Sequence, residues 1–238
     1  MPETIQPRTL YVVPTPIGNL EDITYRAVRI LSYVDLIAAE DTRTTKVLLD
    51  HYNISKPMLS YFSHNEVTRT RELIGKLESG LSVALLTDAG TPGISDPAFV
   101  LIRETLRAGI NIIPLPGPTA FVPALVASGL PCDRFVFEGF LPLKKGRKTK
   151  LERMRLEERT MVIYESPHRL IKTLKELHEA VGDRRAVVAR ELTKKFEEFR
   201  RGTLSELLTL LAPQEPRGEF VVIVEGADSK RPGRSQAP

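Results

Sequence analysis

The sequence predicts an α/β protein, and three observations carry that prediction. Short apolar, β-branched runs alternate with amphipathic stretches of about ten to fifteen residues, the pattern of strands separated by crossover helices. Several of these runs end in loops shaped by glycine and proline. Hydrophobic residues make up 42% and charged residues 27% of 238, ordinary usage for a folded chain with a buried core.

In chain order, strands are expected at Leu10–Val13, Leu36–Ala39, Met58–Phe62, Val83–Thr87 and Ile110–Leu115. Helices are expected between them at Tyr25–Tyr33, Thr44–His51, Val67–Leu77 and Pro97–Ala108. The second half repeats the alternation, with strands at Arg134–Glu138, Thr160–Tyr164, Ala186–Arg190 and Phe220–Glu225. Its helices are expected at Lys148–Glu157, Pro167–Ala180 and Leu204–Leu211. Asp96-Pro97, Gly117-Pro118 and Ser166-Pro167 each place an N-cap candidate before a proline, whose fixed φ and missing N–H suit the first helical position. A helix opening just after a parallel strand offers free N–H groups at the sheet's carboxyl edge, where such sheets bind ligands.

The run Pro114-Leu115-Pro116-Gly117-Pro118 marks a domain boundary, followed by a helix of small residues (Ala120, Ala124, Ala127, Ser128). This divides the chain into 1–118, 119–226 and a polar, turn-rich tail, 227–238, expected to be flexible. The halves show no sequence repeat.

Lysine plus arginine number 34 against 30 acids, a formal charge of +4, which only mildly favours a polyanionic partner. Local clustering says more. From Lys144 to Arg155 stand seven basic residues (Lys144, Lys145, Arg147, Lys148, Lys150, Arg153, Arg155) and one acid, Glu152. Cations without matching anions gain by neutralising phosphates and releasing counterions. Cys132 is the single cysteine, which excludes an internal disulfide framework and suits a reducing, cytoplasmic compartment. The first ten residues lack the layout of a secretory signal, and no apolar stretch approaches the ~20 residues that cross a bilayer. His51, His64, His168 and His178 lack metal-ligand spacing, so no metal is expected.

Three loops could hold a ligand: Pro14–Leu20, Thr87–Pro97 and Pro116–Thr119. Their glycines let backbone approach a ligand and their prolines keep the loops in one conformation. Tight connections with helix caps account for the same residues. Neither the G-x-G-x-x-G dinucleotide fingerprint nor a phosphate-cradling P-loop is present. Glu40-Asp41-Thr42-Arg43 and His64-Asn65-Glu66 follow the second and third strands. Glu40, Asp41 and Glu66 are candidate proton acceptors, although capping and ion pairing explain charges at helix starts equally well.

Seven segments, read together, resemble the ribosomal RNA small-subunit methyltransferase I family, a branch of the tetrapyrrole-methylase superfamily. They are Pro14–Thr24 (PTPIGNLEDIT), Ala39–Arg43 (AEDTR), Asp88–Pro97 (DAGTPGISDP), Pro114–Ala120 (PLPGPTA), Gly139–Arg147 (GFLPLKKGR), Tyr164–Arg169 (YESPHR) and Glu191–Glu198 (ELTKKFEE). The resemblance spans about Leu10–Gly226. One departure is Ala98, where the family pattern leads us to expect glycine and where a methyl would alter the loop.

The resemblance implies an N-terminal doubly wound parallel-sheet domain, a C-terminal mixed-sheet α/β domain, and S-adenosylmethionine folded into the cleft between them in a homodimer. It implies cofactor contacts from Pro16, Ile17, Asp88, Gly90, Thr91, Ile94, Thr119, Ala120, Tyr164 and Leu192, with backbone groups dominating. The implied reaction is 2′-O-methylation of a cytidine in the decoding region of 16S ribosomal RNA, free or in the small subunit. A ribose hydroxyl needs its proton removed in the transition state, which is why Glu40, Asp41 and Glu66 draw attention. Arg43, His64, Lys144, Lys145, Arg147, Lys148, Arg169 and Lys195 are the RNA-facing candidates. With no tryptophan, six tyrosines and nine phenylalanines, shape and phosphate contacts are expected to outweigh base stacking. Two alternatives stand beside this reading: methylation of a tetrapyrrole precursor, and a non-catalytic RNA-binding protein of ribosome assembly.

Overall fold

A computed structural model of the chain describes residues 5–227. The chain divides into two compact units, Met1–Thr119 and Ala120–Pro238. The segment read from the sequence as a tail lies, beyond Ala227, outside the described residues.

In the first unit, β1 (Thr9–Val12), β2 (Leu36–Ala39), β3 (Met58–Ser60), β4 (Val83–Leu86) and β5 (Asn111–Pro114) form a sheet in the order β3-β2-β4-β1-β5. Every pairing is parallel. Helices α1 (Tyr25–Tyr33), α2 (Thr42–His51), α3 (Glu66–Glu78) and α4 (Phe99–Arg107) make the crossovers. Strand residues alternate between the two faces. Tyr11, Val13, Ile37, Ala39, Ala84 and Leu86 pack with Ile30 and Leu31 of α1 and Leu48 and Leu49 of α2. Leu10, Leu36, Ala38, Val83 and Leu85 pack with Leu73 and Leu77 of α3 and Leu101 of α4. Burial on both faces is why these strands read as continuous apolar runs, and each buried leucine or isoleucine contributes roughly 1.5–3 kcal/mol. The unit is a doubly wound parallel sheet, as expected.

The helix starts follow local chemistry. The Thr24 hydroxyl accepts from Ala27 N and the Asp41 carboxylate from Arg43 N. The proposed start at Asp96-Pro97 is not realised: α4 opens at Phe99 with Ala98 as its cap, because Asp96 belongs to the preceding loop. Ala98 has φ −159°, extended backbone open to any residue, and its methyl is buried. A Cβ added at Gly93, whose φ is +88°, would lie 3.3 Å from it. The small residue the loop requires is therefore Gly93, and the methyl at Ala98 fits.

In the second unit, β6 (Phe135–Phe140), β7 (Thr160–Glu165), β8 (Arg185–Arg190), β9 (Glu198–Thr203) and β10 (Phe220–Val224) form a mixed sheet in the order β6-β7-β10-β8-β9. Only β6 and β7 run parallel; the other neighbours are antiparallel. Helices α6 (Arg147–Met154), α7 (Pro167–Val181) and α8 (Leu204–Leu211) cover one face around Met161, Ile163, Val188 and Val222. Helix α5 (Phe121–Val126) packs across β7 and β10. It begins at Phe121 rather than at Gly117-Pro118, whereas Ser166-Pro167 opens α7 as expected.

Strand β9 was not anticipated. Its sequence, EFRRGT, shows no apolar alternation because it is an edge strand blunted by charge, with Arg200 paired to Glu198 and the Arg201 guanidinium over the Phe199 ring. Strand β6, the opposite edge, carries a bulge: Phe137 pairs with Val162 and Gly139 with Ile163, leaving Glu138 as the extra residue. Among the described residues, no helix is long and apolar enough to cross a membrane.

Candidate active site

Because all five strands of the first sheet are parallel, the loops after them gather at one edge. The loops after β1 and β4 are stitched together. Thr15 N donates to Gly90 O and Gly90 N to Thr15 O, both at 2.9 Å, and the buried Thr15 hydroxyl donates to Thr87 O at 3.0 Å. The Thr91 hydroxyl donates to Pro118 O at 2.9 Å, tying the loop after β5 to the same place. Gly90 has φ +85°, and a Cβ at Gly117 would lie 2.7 Å from that of Pro14. Pro16, Ile17, Asp88, Gly90, Thr91, Ile94 and Thr119, seven of the ten expected cofactor residues, stand on these three loops.

Carboxylates crowd the same edge. Asp88 N donates to Glu40 Oε2 at 3.3 Å, and Asp41 N to Asp88 Oδ1 at 3.1 Å. Burial pushes the Glu40 carboxyl above its usual range, and the charges of Asp88 and Asp41 add to this. Partial burial raises Asp88 as well. Asp96 is pushed up to about 6, by burial first and then by the charges of Glu40 and Asp88. Asp41 behaves in the opposite way. Its carboxylate caps α2 and grips the Arg43 guanidinium at 2.6 Å, and these hydrogen bonds hold it down to about 2. As a proton acceptor Asp41 is thus already spent. Glu66 opens α3 after edge strand β3, the neighbour of the β2 strand that leads into Glu40. His64 is exposed, its ring 6.1 Å from that of Phe62.

The second unit carries the other three expected cofactor residues. Ala120 caps α5, and the Tyr164 hydroxyl accepts from Phe121 N at 3.2 Å, satisfying an amide at the helix start. Leu192 is buried between two non-glycine residues in the left-handed region, Glu191 at φ 47° and Thr193 at φ 66°. Such backbone costs on the order of 1–3 kcal/mol per residue and gathers at functional sites. Glu191 is braced by Lys194 and by Glu219 N, at 3.1 and 2.9 Å.

The profile of the Tetrapyrrole (Corrin/Porphyrin) Methylases matches residues 9–208. The chain belongs to the tetrapyrrole methylases. It is 51% identical over 230 residues to "Ribosomal RNA small subunit methyltransferase I" of Synechocystis sp., covering 95% of this chain and 82% of the relative. The protein of the same name from Thermotoga maritima is 47% identical over 219 residues, covering 92% and 99%. The Thermus thermophilus uroporphyrin-III C-methyltransferase, solved with S-adenyl homocysteine, superposes with a TM-score of 0.63. It is 19% identical and covers 91% of this chain and 97% of the other, a likeness of fold.

For this tetrapyrrole methylase, the structure sorts the RNA-facing candidates by what each cation touches. Arg147 is turned inward, 6% exposed, donating to Pro142 O at 3.1 Å, Thr173 Oγ1 at 2.8 Å and Glu176 Oε2 at 2.7 Å. It is an anchor and not a surface cation. Arg169 likewise donates to Leu141 O at 2.6 Å and pairs with the buried Glu165 at 3.2 Å. Arg43 stays exposed although paired to Asp41. Lys144, Lys145 and Lys148 are exposed, and none has an ion pair among the described residues, whereas Lys150 is paired with Glu138. Lys195 is exposed, 5.6 Å from the Phe196 ring centre. Sequence reasoning missed Asp96 by treating it as a helix cap; its place in the β4–α4 loop beside the glycines was the available signal. Among the described residues no group of three or more histidine, cysteine, aspartate or glutamate side chains is placed to hold a metal ion.

Proposed function

We propose that this methyltransferase uses S-adenosylmethionine to methylate a ribose 2′-hydroxyl of 16S ribosomal RNA, at a cytidine of the decoding region. The observation that carries this is near-half identity, along almost the whole chain, to relatives named for small-subunit ribosomal RNA. A loop of exposed, unpaired lysines supports it, because a polyanion is the partner such a loop attracts.

The residues present fit the cofactor. The Thr15–Gly90 and Thr91–Pro118 hydrogen bonds hold these loops in place, so that their remaining main-chain groups suit an amino-acid carboxylate and an adenine edge, and the Thr87 hydroxyl after β4 is buried without a hydrogen-bond partner among the described residues. The Glu40, Asp88 and Asp96 carboxylates favour a ligand that carries positive charge. When bound, S-adenosylmethionine supplies an activated methyl group on a sulfonium. The loops hold and orient that group, which is the larger part of the catalytic task. We assign the hydroxyl proton to the raised carboxylates of this edge, Glu40 and Asp96: Asp96, pushed up to about 6, accepts a proton at neutral pH more readily than an ordinary carboxylate, for typically 10²–10⁴-fold in rate. We place the protein in the cytoplasm, where its substrate is made, and assign it the homodimeric state.

The test is transfer of labelled methyl from S-adenosylmethionine to small subunits lacking their native modification, followed by mapping of the label. Label on the ribose of a decoding-region cytidine is expected. Label on a porphyrinogen and none on RNA would replace this reading with the tetrapyrrole one.

A further inference from the structure

The edge strand of the second sheet bears an aromatic face that the reaction, as described, does not use. Alternation along a regular strand would put Phe137 and Phe140 on opposite faces. The extra residue, Glu138, corrects the phase: Phe137 pairs with Val162 and Phe140 with Tyr164, so both rings come to the α5 face while Leu141 turns into the core on the other. Gly139, at φ +59°, makes the bulge possible. The rings touch in series. Phe121 and Phe137 are 5.0 Å apart, Phe137 and Tyr164 5.0 Å, and Phe140 and Tyr164 5.7 Å. Phe121, Phe137 and Tyr164 are partly buried, but Phe140 is 54% exposed at the end of the series.

The loop that follows presents cations beside that ring. Arg169 holds Leu141 O and Arg147 holds Pro142 O, so the chain leaves Phe140 from a fixed point. Arg147 itself closes the far end against Thr173 and Glu176. Between these staples stand Leu143, 71% exposed, and Lys144 and Lys145, with Lys148 one turn on. Four residues reach at most about 14 Å, so Lys144 stays within a nucleotide or two of Phe140. An exposed ring beside unpaired ammonium groups, on a braced scaffold, matches single-stranded nucleic acid: a base has a face for the ring, and its phosphates answer the lysines.

Resting on the ribosomal RNA reading above, we propose that Phe140 is a stacking site for an unpaired base of the RNA substrate, with Lys144, Lys145 and Lys148 neutralising the adjoining phosphates. This revises the expectation that stacking is minor.

The experiment compares full-length wild type with Phe140→Ala, Phe140→Trp, Phe140→Leu and Lys144→Ala/Lys145→Ala. Binding of a fluorescent single-stranded decoding-region RNA is measured across salt concentrations, beside S-adenosylhomocysteine affinity, molecular mass in solution and methyl transfer. Loss of one stacked base weakens binding by roughly ten- to a hundredfold. Phe140→Ala should show that loss with an unchanged salt slope and unchanged S-adenosylhomocysteine affinity, and Phe140→Trp should restore binding where Phe140→Leu does not. The double lysine variant should instead flatten the slope by about 1.4. Wild-type RNA affinity in Phe140→Ala, or equal rescue by leucine, would overturn the stacking site. So would a fall from dimer to monomer, which would make this face an interface between copies. A wild type that neither binds nor methylates RNA would overturn the function itself, whereas a wild type that does both beside an unaffected Phe140→Ala would overturn the stacking site alone.

Discussion

Arg147→Met tests whether the basic run is a solvated cation cluster or a braced loop. The methionine keeps most of the side-chain length and removes the guanidinium, whose Nε, Nη1 and Nη2 reach Glu176, Pro142 O and Thr173. Breaking a buried pair by removing one partner costs ~3–5 kcal/mol. Two features reduce the cost here: Glu176 is partly exposed and has Lys172 at 3.9 Å, and Thr173 still donates to Glu165 Oε2 at 2.6 Å. A loss of about 2–4 kcal/mol remains, lowering the melting temperature of the second unit by roughly 8–16 °C at about 4 °C per kcal/mol. Arg147→Lys should recover only part of this, since one ammonium cannot serve three acceptors held in a fork. Calorimetry supplies the temperature, and hydrogen exchange supplies the location as faster exchange across residues 141–147. Melting within 2 °C of wild type would refute the anchor and return Arg147 to the surface cations.

Gly117→Ala drives a methyl to 2.7 Å from the Pro14 Cβ, between two loops with little freedom to move. It should cost about 1–3 kcal/mol in urea unfolding and weaken S-adenosylhomocysteine by calorimetric titration. Asp96 gives stability a definite pH dependence. Its folded value, about 6, exceeds the ordinary 3.8, so the folded state holds the proton more tightly and stability falls as pH rises from about 4 to about 6. Asp96→Asn should flatten the urea midpoint across that window. Asp41, held at about 2, has the opposite sign: its contribution is complete above pH 4 and is lost as pH falls toward 2, a loss that Asp41→Asn should remove from acid unfolding curves. Thr193→Gly relieves a β-branched residue at φ 66° and should leave stability unchanged or raise it by up to about 1 kcal/mol in urea unfolding. A larger loss would show that contacts, and not tolerated strain, hold Thr193.

What was legible in the chain was what depends on periodicity and on chemistry close in sequence. The bounds Tyr25–Tyr33, Leu36–Ala39 and Leu204–Leu211 coincide with the structure. Each is closed by a local signal: a Thr24 cap, an apolar run ending in acids, and a capping box from Thr203 to Glu206. Strand β9 was illegible because an antiparallel edge needs no apolar face, and its charges serve to keep that edge from pairing with another chain. The bulge at Glu138 was hidden too, since it consists of a register against β7 that the strand's own residues do not announce.

The site divides along the same line. The loops at the carboxyl edge of the first sheet were legible, because glycine and proline declare a backbone conformation where they stand. Side-chain roles were less so, because a charge's role depends on partners distant in sequence. Arg147 and Lys148 are neighbours in one basic run, yet Thr173 and Glu176 on α7 bury the first and leave the second to solvent. Asp41 and Asp96 are both aspartates near a helix start. The first meets an arginine two residues away and is held ionised, while the second is buried, beside the charges of Glu40 and Asp88, and is driven toward neutrality. In both pairs the residue type sets the range of behaviour and its surroundings choose within it: a local partner for Asp41, but contacts made across the fold for Arg147 and Asp96.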